Sequence, residues 1–314
     1  MLNLIKTNAN TAFPGCYFYG RWLSTGQENY TTNLGAGFFC HAVKPTKIDL
    51  YFIRQTTPQV VAWRVNNRPF HREVISDKPI TLYLAAATNL QVVMSGNTDQ
   101  ANVWTNTAGF SLIAINSSEP LLAVKPGGPR FTFIGDSITA GCWVAGKTPA
   151  IDYRAETSYA ALTAEYFGAL DQRIAYSAAG ICRPGQGHVP SALDFYNKIN
   201  STTMCPVPAS DLIIINLGTN DWRLEQVQVK RAFAKLLDNL CHQFSRSRLV
   251  ILISFSQRCA PTIRQVGRHY QVQIIETSAW NLTYTDQVHL DQNGSQMAAQ
   301  CLVAALQHKF KFLQ

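Results

Sequence analysis

The segment VKPGGPR, Val124 to Arg130, divides the sequence into two textures and constrains the fold more than any other feature. Two prolines and two glycines in seven residues interrupt both helix and strand, marking a stiff linker or domain boundary. Ahead of it lie short runs rich in β-branched and aromatic residues: KIDLYFIRQ from Lys47, PQVVAWRVNN from Pro58, ITLYLAAA from Ile80 and LQVVMSG from Leu90. Turn signals at Asn66-Asn67, Asp77-Lys78-Pro79 and Gly96-Asn97 separate them, with no clear helical periodicity between. Short strands at this spacing predict an antiparallel, jelly-roll-like β-sandwich over residues 1–125.

After the segment, apolar strands alternate with helices. RFTFIG, RIAYSAAG, DLIIINLGTND, RLVILIS and YQVQIIE read as strands. ETSYAALTAEYFGA, a stretch from about Leu224 to Phe244, and NGSQMAAQCLVAALQHKF read as helices. Continuous apolar strands between helices imply a parallel sheet covered on both faces, an α/β domain over residues 126–314. The 314 residues, 46% hydrophobic and 15% charged, suffice for one large domain or two ordinary ones with full cores.

In open α/β sheets, ligands bind beyond the carboxyl ends of the strands. Here those ends carry polar residues: Gly135-Asp136-Ser137, then Ser177-Ala178-Ala179-Gly180, then Gly218-Thr219-Asn220-Asp221. The last region adds Thr285-Asp286-Gln287-Val288-His289. A serine hydroxyl needs a general base to act as a nucleophile, and His289 is a candidate. Asp286, three residues earlier, can accept the other ring N–H, fixing the tautomer and stabilising the imidazolium. Backbone N–H groups at Ser137 and Gly180, with the Asn220 amide, are candidates for an oxyanion hole. Glycine at 180 leaves room for close approach of a ligand.

Each residue has a plainer reading. Ser137 can be a turn or N-cap residue, Asp136 a structural hydrogen-bonding partner, and Asn220 a turn residue. Asp286 and His289 can be a capping pair ahead of the last helix. The order and placement of the four blocks together favour the catalytic reading.

IGDSIT, the strand-end Gly180, NLGTND and DQVHLDQNG resemble the four signature blocks of the SGNH (GDSL-type) hydrolases across residues 130–314. The resemblance implies a flavodoxin-like α/β/α sandwich with Ser137 as nucleophile, His289 as base and Asp286 as third triad member. Gly180 and Asn220 would complete the oxyanion hole. The preceding sandwich, with YFYGRW from Tyr17, resembles carbohydrate esterase family 2, whose members remove acetyl groups from polysaccharides such as xylan. SYAALTAEYFGA followed by IAYSAAGICR also resembles that family. Two departures stand out. The spacing is D-x-x-H rather than the tighter D-x-H of that family, and Leu290 stands where a proline is usual.

Trp143 and Trp222 follow the nucleophile and Asn220 blocks, and indole faces stack on sugar rings while leaving hydroxyls wet. Either can instead pack beneath a loop. Arg183, just past Gly180, can meet an acidic sugar or simply face water. These residues predict a serine esterase that deacetylates a carbohydrate, needing no metal or other cofactor. Alternatives on the same scaffold are a lipid esterase or lysophospholipase and a sugar O-acyltransferase. A carbohydrate-binding protein is the non-enzymatic alternative.

The remaining features exclude more than they assign. The net charge is +8, but the basic residues are scattered, with SRSRL near Arg246 the densest cluster. No aromatic-interleaved basic module points to nucleic acid. Eight cysteines form no C-x-x-C pair, which argues against a zinc ribbon or a thioredoxin-like motif. Cys142 and Cys182 follow site turns and read as packing residues. The opening MLNLIKTNANTAFPG lacks the pattern of a Sec signal peptide, which leaves a cytoplasmic protein or export by another route. No run is long and apolar enough to predict a spanning helix.

Overall fold

The computed structural model describes residues 2–4, 13–105 and 108–314. Most of the opening segment that lacks a signal-peptide pattern lies outside the described residues. Up to Pro126 every strand pairs antiparallel, in two sheets. One holds Gly37–Ala42 between Thr88–Asn97 and Leu121–Pro126. The other centres on Phe110–Ser117, flanked by Asn29–Thr31 and Thr46–Phe52. Alternation along Ile80–Leu84 puts Ile80, Leu82 and Leu84 inside and Thr81 and Tyr83 in water. These inward residues meet Phe38, Cys40, Val61, Val92 and Leu112 in one core between the sheets.

The VKPGGPR segment is shorter as a connection than its composition suggests. Leu121–Pro126 and Arg130–Gly135 are both strands, so Gly127-Gly128-Pro129 alone turns the chain. A Cβ at Gly128 would run into the backbone carbonyls of Phe167 and Gly168.

Residues 130–314 form a five-stranded parallel sheet in the order Leu170–Ala175, Arg130–Gly135, Leu212–Asn216, Leu249–Leu252, Gln273–Ile275. Numbered along the chain this is 2-1-3-4-5, the flavodoxin-like order. The strands are apolar throughout because both faces are covered. Ile213 and Ile215 pack with Val229, Phe233 and Ile263 from helices Gln226–Gln243 and Ala260–His269. Leu212 and Ile214 point the other way, to Tyr159, Ala160, Leu302 and Leu306 of helices Tyr159–Tyr166 and Gln292–Lys309. The fold is a flavodoxin-like α/β/α sandwich preceded by antiparallel β-sheets.

Two local expectations change. RIAYSAAG was expected to be strand throughout, but the strand ends at Ala175, where its pairing with Gly135 ends and the chain turns through Ala178 at φ +57°. The helix Ala260–His269 had no sequence-level expectation. Its Pro261 sits near the amino end, where a missing N–H costs nothing. Among the described residues no helix is long and apolar enough to cross a membrane.

The antiparallel part is packed onto the back of the turn that carries Ser137. Ala140, Cys142, Tyr153 and Ala175 belong to its core. Buried Glu156 pairs with Arg72 at 2.9 Å and accepts from Ser95 at 2.6 Å. Arg173, 2% exposed, pairs with Asp171 and donates to the Ala140 carbonyl that ends the helix Ser137–Ala140.

Candidate active site

Strands one and three of the parallel sheet are neighbours, and the chain order reverses between one and three. The carboxyl ends of such strands are the ligand position in doubly wound sheets. Strand one ends at Gly135, and the four-residue helix Ser137–Ala140 begins at once. Asp136 caps that helix, its Oδ1 accepting the Ile138 N–H at 2.9 Å. A Cβ at Gly135 would collide with Thr139, so the tight strand-to-helix turn requires glycine there. This turn places Ser137 at the sheet edge, 4% exposed.

Ser137 Oγ lies 2.8 Å from His289 Nε2, across 152 residues of sequence. His289 Nδ1 lies 2.8 Å from Asp286 Oδ2. A carboxylate only accepts, so Nδ1 carries the hydrogen and Nε2 is left to accept from the serine hydroxyl. Asp286 Oδ1 also accepts the backbone N–H of His289 at 2.8 Å and of Val288 at 3.2 Å. Partial burial works to raise the Asp286 carboxyl, but these bonds and the neighbouring imidazole outweigh it and hold its pKa below the usual range. The wider D-x-x-H spacing is accommodated by Gln287 at φ +70°, which folds the loop so that ring and carboxylate meet. The cap of the last helix is Asp291, which accepts from Gly294 N–H at 2.7 Å, so the Asp286–His289 pair is not that cap. Leu290 is 2% exposed and packs with the last helix.

Asn220 lies at the end of strand three, and its Nδ2 donates one hydrogen to the Ala179 carbonyl at 3.0 Å. The second amide hydrogen is left for a ligand. Gly180 does not fit its expected role. Its N–H donates to the Arg183 carbonyl at 2.9 Å, and the residue is buried. A Cβ there would strike the Asp221 carboxylate, so the glycine makes room for Asp221 rather than for a ligand. Asp221, fully buried, accepts the N–H groups of Ile181, Cys182 and Arg183 at 2.8, 2.8 and 3.1 Å. The residue that sequence reasoning missed is Ala178. It lies in the left-handed region, is partly exposed, and its N–H meets no acceptor among the described residues. A non-glycine residue at positive φ gives no sequence signal.

Trp143 lies beside the histidine, its ring centroid 6.2 Å from that of His289 and its carbonyl accepting from Thr285 Oγ1. It also packs edge-on to Tyr153, so much of its surface is covered. Trp222 is 46% exposed, with the guanidinium carbons of Arg223 and Arg258 at 4.4 and 4.9 Å from its ring. Arg183 is exposed. Burial raises the thiol of Cys142 well above its usual value and that of Cys182 to about 11, as packing residues require. A cavity of about 30 Å³ opens beside Ala140, Cys142 and Ser177. A larger one, about 230 Å³, lies away from Ser137 between the antiparallel part and helix Tyr159–Tyr166.

Residues 133–300 match the model of the GDSL-like lipase/acylhydrolase family. A search of curated proteins found no match. Among solved structures, a family two carbohydrate esterase from Clostridium thermocellum in complex with cellohexaose is 18% identical, with TM-score 0.77. The alignment covers 95% of this chain and 100% of that one. The acetyl xylan esterase Est2A from Butyrivibrio proteoclasticus is 16% identical over 100% of this chain and 99% of that one, with TM-score 0.79. The salicylyl-acyltransferase SsfX3 of a tetracycline biosynthetic pathway is 12% identical over 98% of both chains, with TM-score 0.66.

Proposed function

The chain belongs to the GDSL-like lipase/acylhydrolase family and is a carboxylic ester hydrolase, and from that premise we propose that it removes O-acetyl groups from a carbohydrate through an acyl-enzyme. The observation that carries the mechanism is the continuous 2.8 Å contact from Ser137 Oγ to His289 and on to Asp286. In this reading Ser137 Oγ attacks the acetyl carbonyl as His289 Nε2 takes its proton. The developing oxyanion is held by the Ser137 N–H, the Asn220 amide and the Ala178 N–H, which takes the part first expected of Gly180. His289 returns the proton to the departing sugar oxygen as the ester bond breaks. Water, deprotonated by the same histidine, then releases acetate and restores the serine. Asp286 orients the imidazole and stabilises its charged form.

One feature supports a sugar ester as the substrate. The likeness to family two carbohydrate esterases spans both the antiparallel part and the hydrolase part. We assign residues 1–125 as an accessory domain and 126–314 as the catalytic domain. Trp143 and Trp222 are assigned to the rim of the site.

The test is turnover of 4-nitrophenyl acetate, butyrate, octanoate and palmitate by wild type and Ser137→Ala. The expected result is acetate cleavage that falls steeply with chain length and vanishes in the variant. Preference for octanoate or longer would replace the deacetylase with a lipid esterase. Equal turnover in both proteins would remove Ser137 from the mechanism.

A further inference from the structure

Three arginines surround the Asn220 block with no carboxylate partner. Arg183, Arg223 and Arg258 come from the loops after strands two, three and four of the parallel sheet, all at its carboxyl edge. The guanidinium groups of Arg223 and Arg258 lie within 5 Å of the exposed Trp222 ring, and Arg258 Nη1 reaches the Thr219 carbonyl at 3.5 Å. The Arg183 backbone is tied to Asp221 and Gly180, which fixes where its side chain leaves the loop. None of the three forms an ion pair among the described residues, and what sets them apart from the other unpaired arginines is their place together at the carboxyl edge around Trp222. The adjacent Asp221 makes no ion pair with any of the three. It is fully buried and already accepts three backbone N–H groups.

Two guanidiniums on one indole repel each other, and the ring quadrupole offsets only part of that. The arrangement is short of negative charge beside the group proposed to hold the oxyanion. Planar guanidinium forks match carboxylates by paired hydrogen bonds. Building on the carbohydrate esterase reading, we propose that the substrate is an acetylated glycan bearing uronic acid carboxylates, with a carboxylate near the scissile ester seated on Arg223 and Arg258. Trp222 then serves as the platform that spaces the two cations, and Arg183 adds charge from the opposite loop. A membrane of anionic lipid is the competing source of negative charge. The exposed Trp222 ring between the cations, a surface on which a sugar can stack, favours the glycan.

The experiment compares acetate release from partly O-acetylated polygalacturonate and from acetylated, uronate-free xylan. Wild type is expected to favour the carboxylated polymer by about tenfold in kcat/KM, a preference that shrinks as salt rises. Arg223→Gln with Arg258→Gln brings the ratio to about one, while Arg223→Lys with Arg258→Lys keeps part of it. Taking the ratio cancels any loss common to both polymers. An unchanged ratio in the Gln variant, or a wild type that favours the neutral polymer, overturns the proposal. So does faster cleavage of acyl esters in phosphatidylglycerol vesicles than in either polymer. If wild type cleaves no ester at all, the esterase reading fails first. Calorimetric binding of polygalacturonate, with and without the Gln substitutions, then tests the rim by itself. Binding about tenfold weaker in the variant supports the rim, and equal binding sinks it.

Discussion

Asp136 and Ser137 are adjacent in sequence, and their environments divide the work between them. Asp136 is fully buried, and burial, with Asp221 adding to it, pushes its carboxyl up to about 7 against the N–H of Ile138. Its folded value lies above its unfolded one, so the folded chain binds more protons and loses stability as pH rises from about 4 to about 7. Asp136→Asn keeps the capping oxygen and cannot ionise. The melting temperature of the variant relative to wild type should therefore climb across that window, and a flat difference would remove the effect. Asp286 is depressed, so the triad stays assembled as pH falls to the ordinary carboxylate range. Asp286→Asn should lower kcat about 10³–10⁴-fold with little change in KM, since it favours the wrong imidazole tautomer. Asn220→Ala should cost about 10²–10³ in kcat. Positions 178 and 180 should respond in opposite ways. Ala178→Gly keeps the N–H and relieves positive φ, so activity should hold and stability should rise slightly or stay level. Gly180→Ala displaces Asp221 and should destabilise by about 1–3 kcal/mol while cutting kcat.

At the scale of elements, the site depends on turns held from behind. The helix Ser137–Ala140, which carries the proposed nucleophile, is four residues long and has no stability of its own. Asp136 caps its start, while Arg173 holds its last carbonyl. The loop after strand two is gathered on the Asp221 carboxylate, which sets the direction of the chain leaving Ala178. The antiparallel part reaches this region through Arg72, whose guanidinium pairs with Glu156 and donates to the Tyr153 carbonyl. Arg72→Ala would leave Glu156 buried without its charge partner. The expected cost is about 3–5 kcal/mol in chemical denaturation, and a loss below 1 kcal/mol would show the pair to be dispensable. The helix Tyr159–Tyr166 follows the same logic, since Ser158 caps it and accepts from Arg173.

For the whole molecule, the two textures on either side of Gly127-Gly128-Pro129 share a core. Ala140, Cys142, Tyr153 and Ala175 lie inside the cluster built by the antiparallel sheets. Removing residues 1–125 would expose these side chains and the Glu156 carboxylate to water. Residues 126–314 expressed by themselves should therefore lose 4-nitrophenyl acetate turnover and the cooperative unfolding of the full chain. Retention of both would show the accessory part to be separable. The alternation of strand and helix, the β texture ahead of Val124 and the three polar strand ends were legible because they are local patterns of residue type. So was the grouping of Ser137, Asn220, Asp286 and His289 as candidates, since the chemistry proposed for nucleophile, amide, base and orienter is supplied by few residue types, and the structure brings Ser137, His289 and Asp286 into contact. Gly180 misled because a glycine at a strand end signals close approach without saying by what, and here the neighbour is Asp221. Ala178, the short helix at Ala260 and the arginines around Trp222 were hidden because backbone dihedrals and the meeting of distant loops carry no mark in composition or spacing. The sequence by itself determined the layers of the fold and the residues proposed to react. Only the tertiary structure decided which N–H groups are free and which charges lack partners, because both depend on what every other segment has already satisfied.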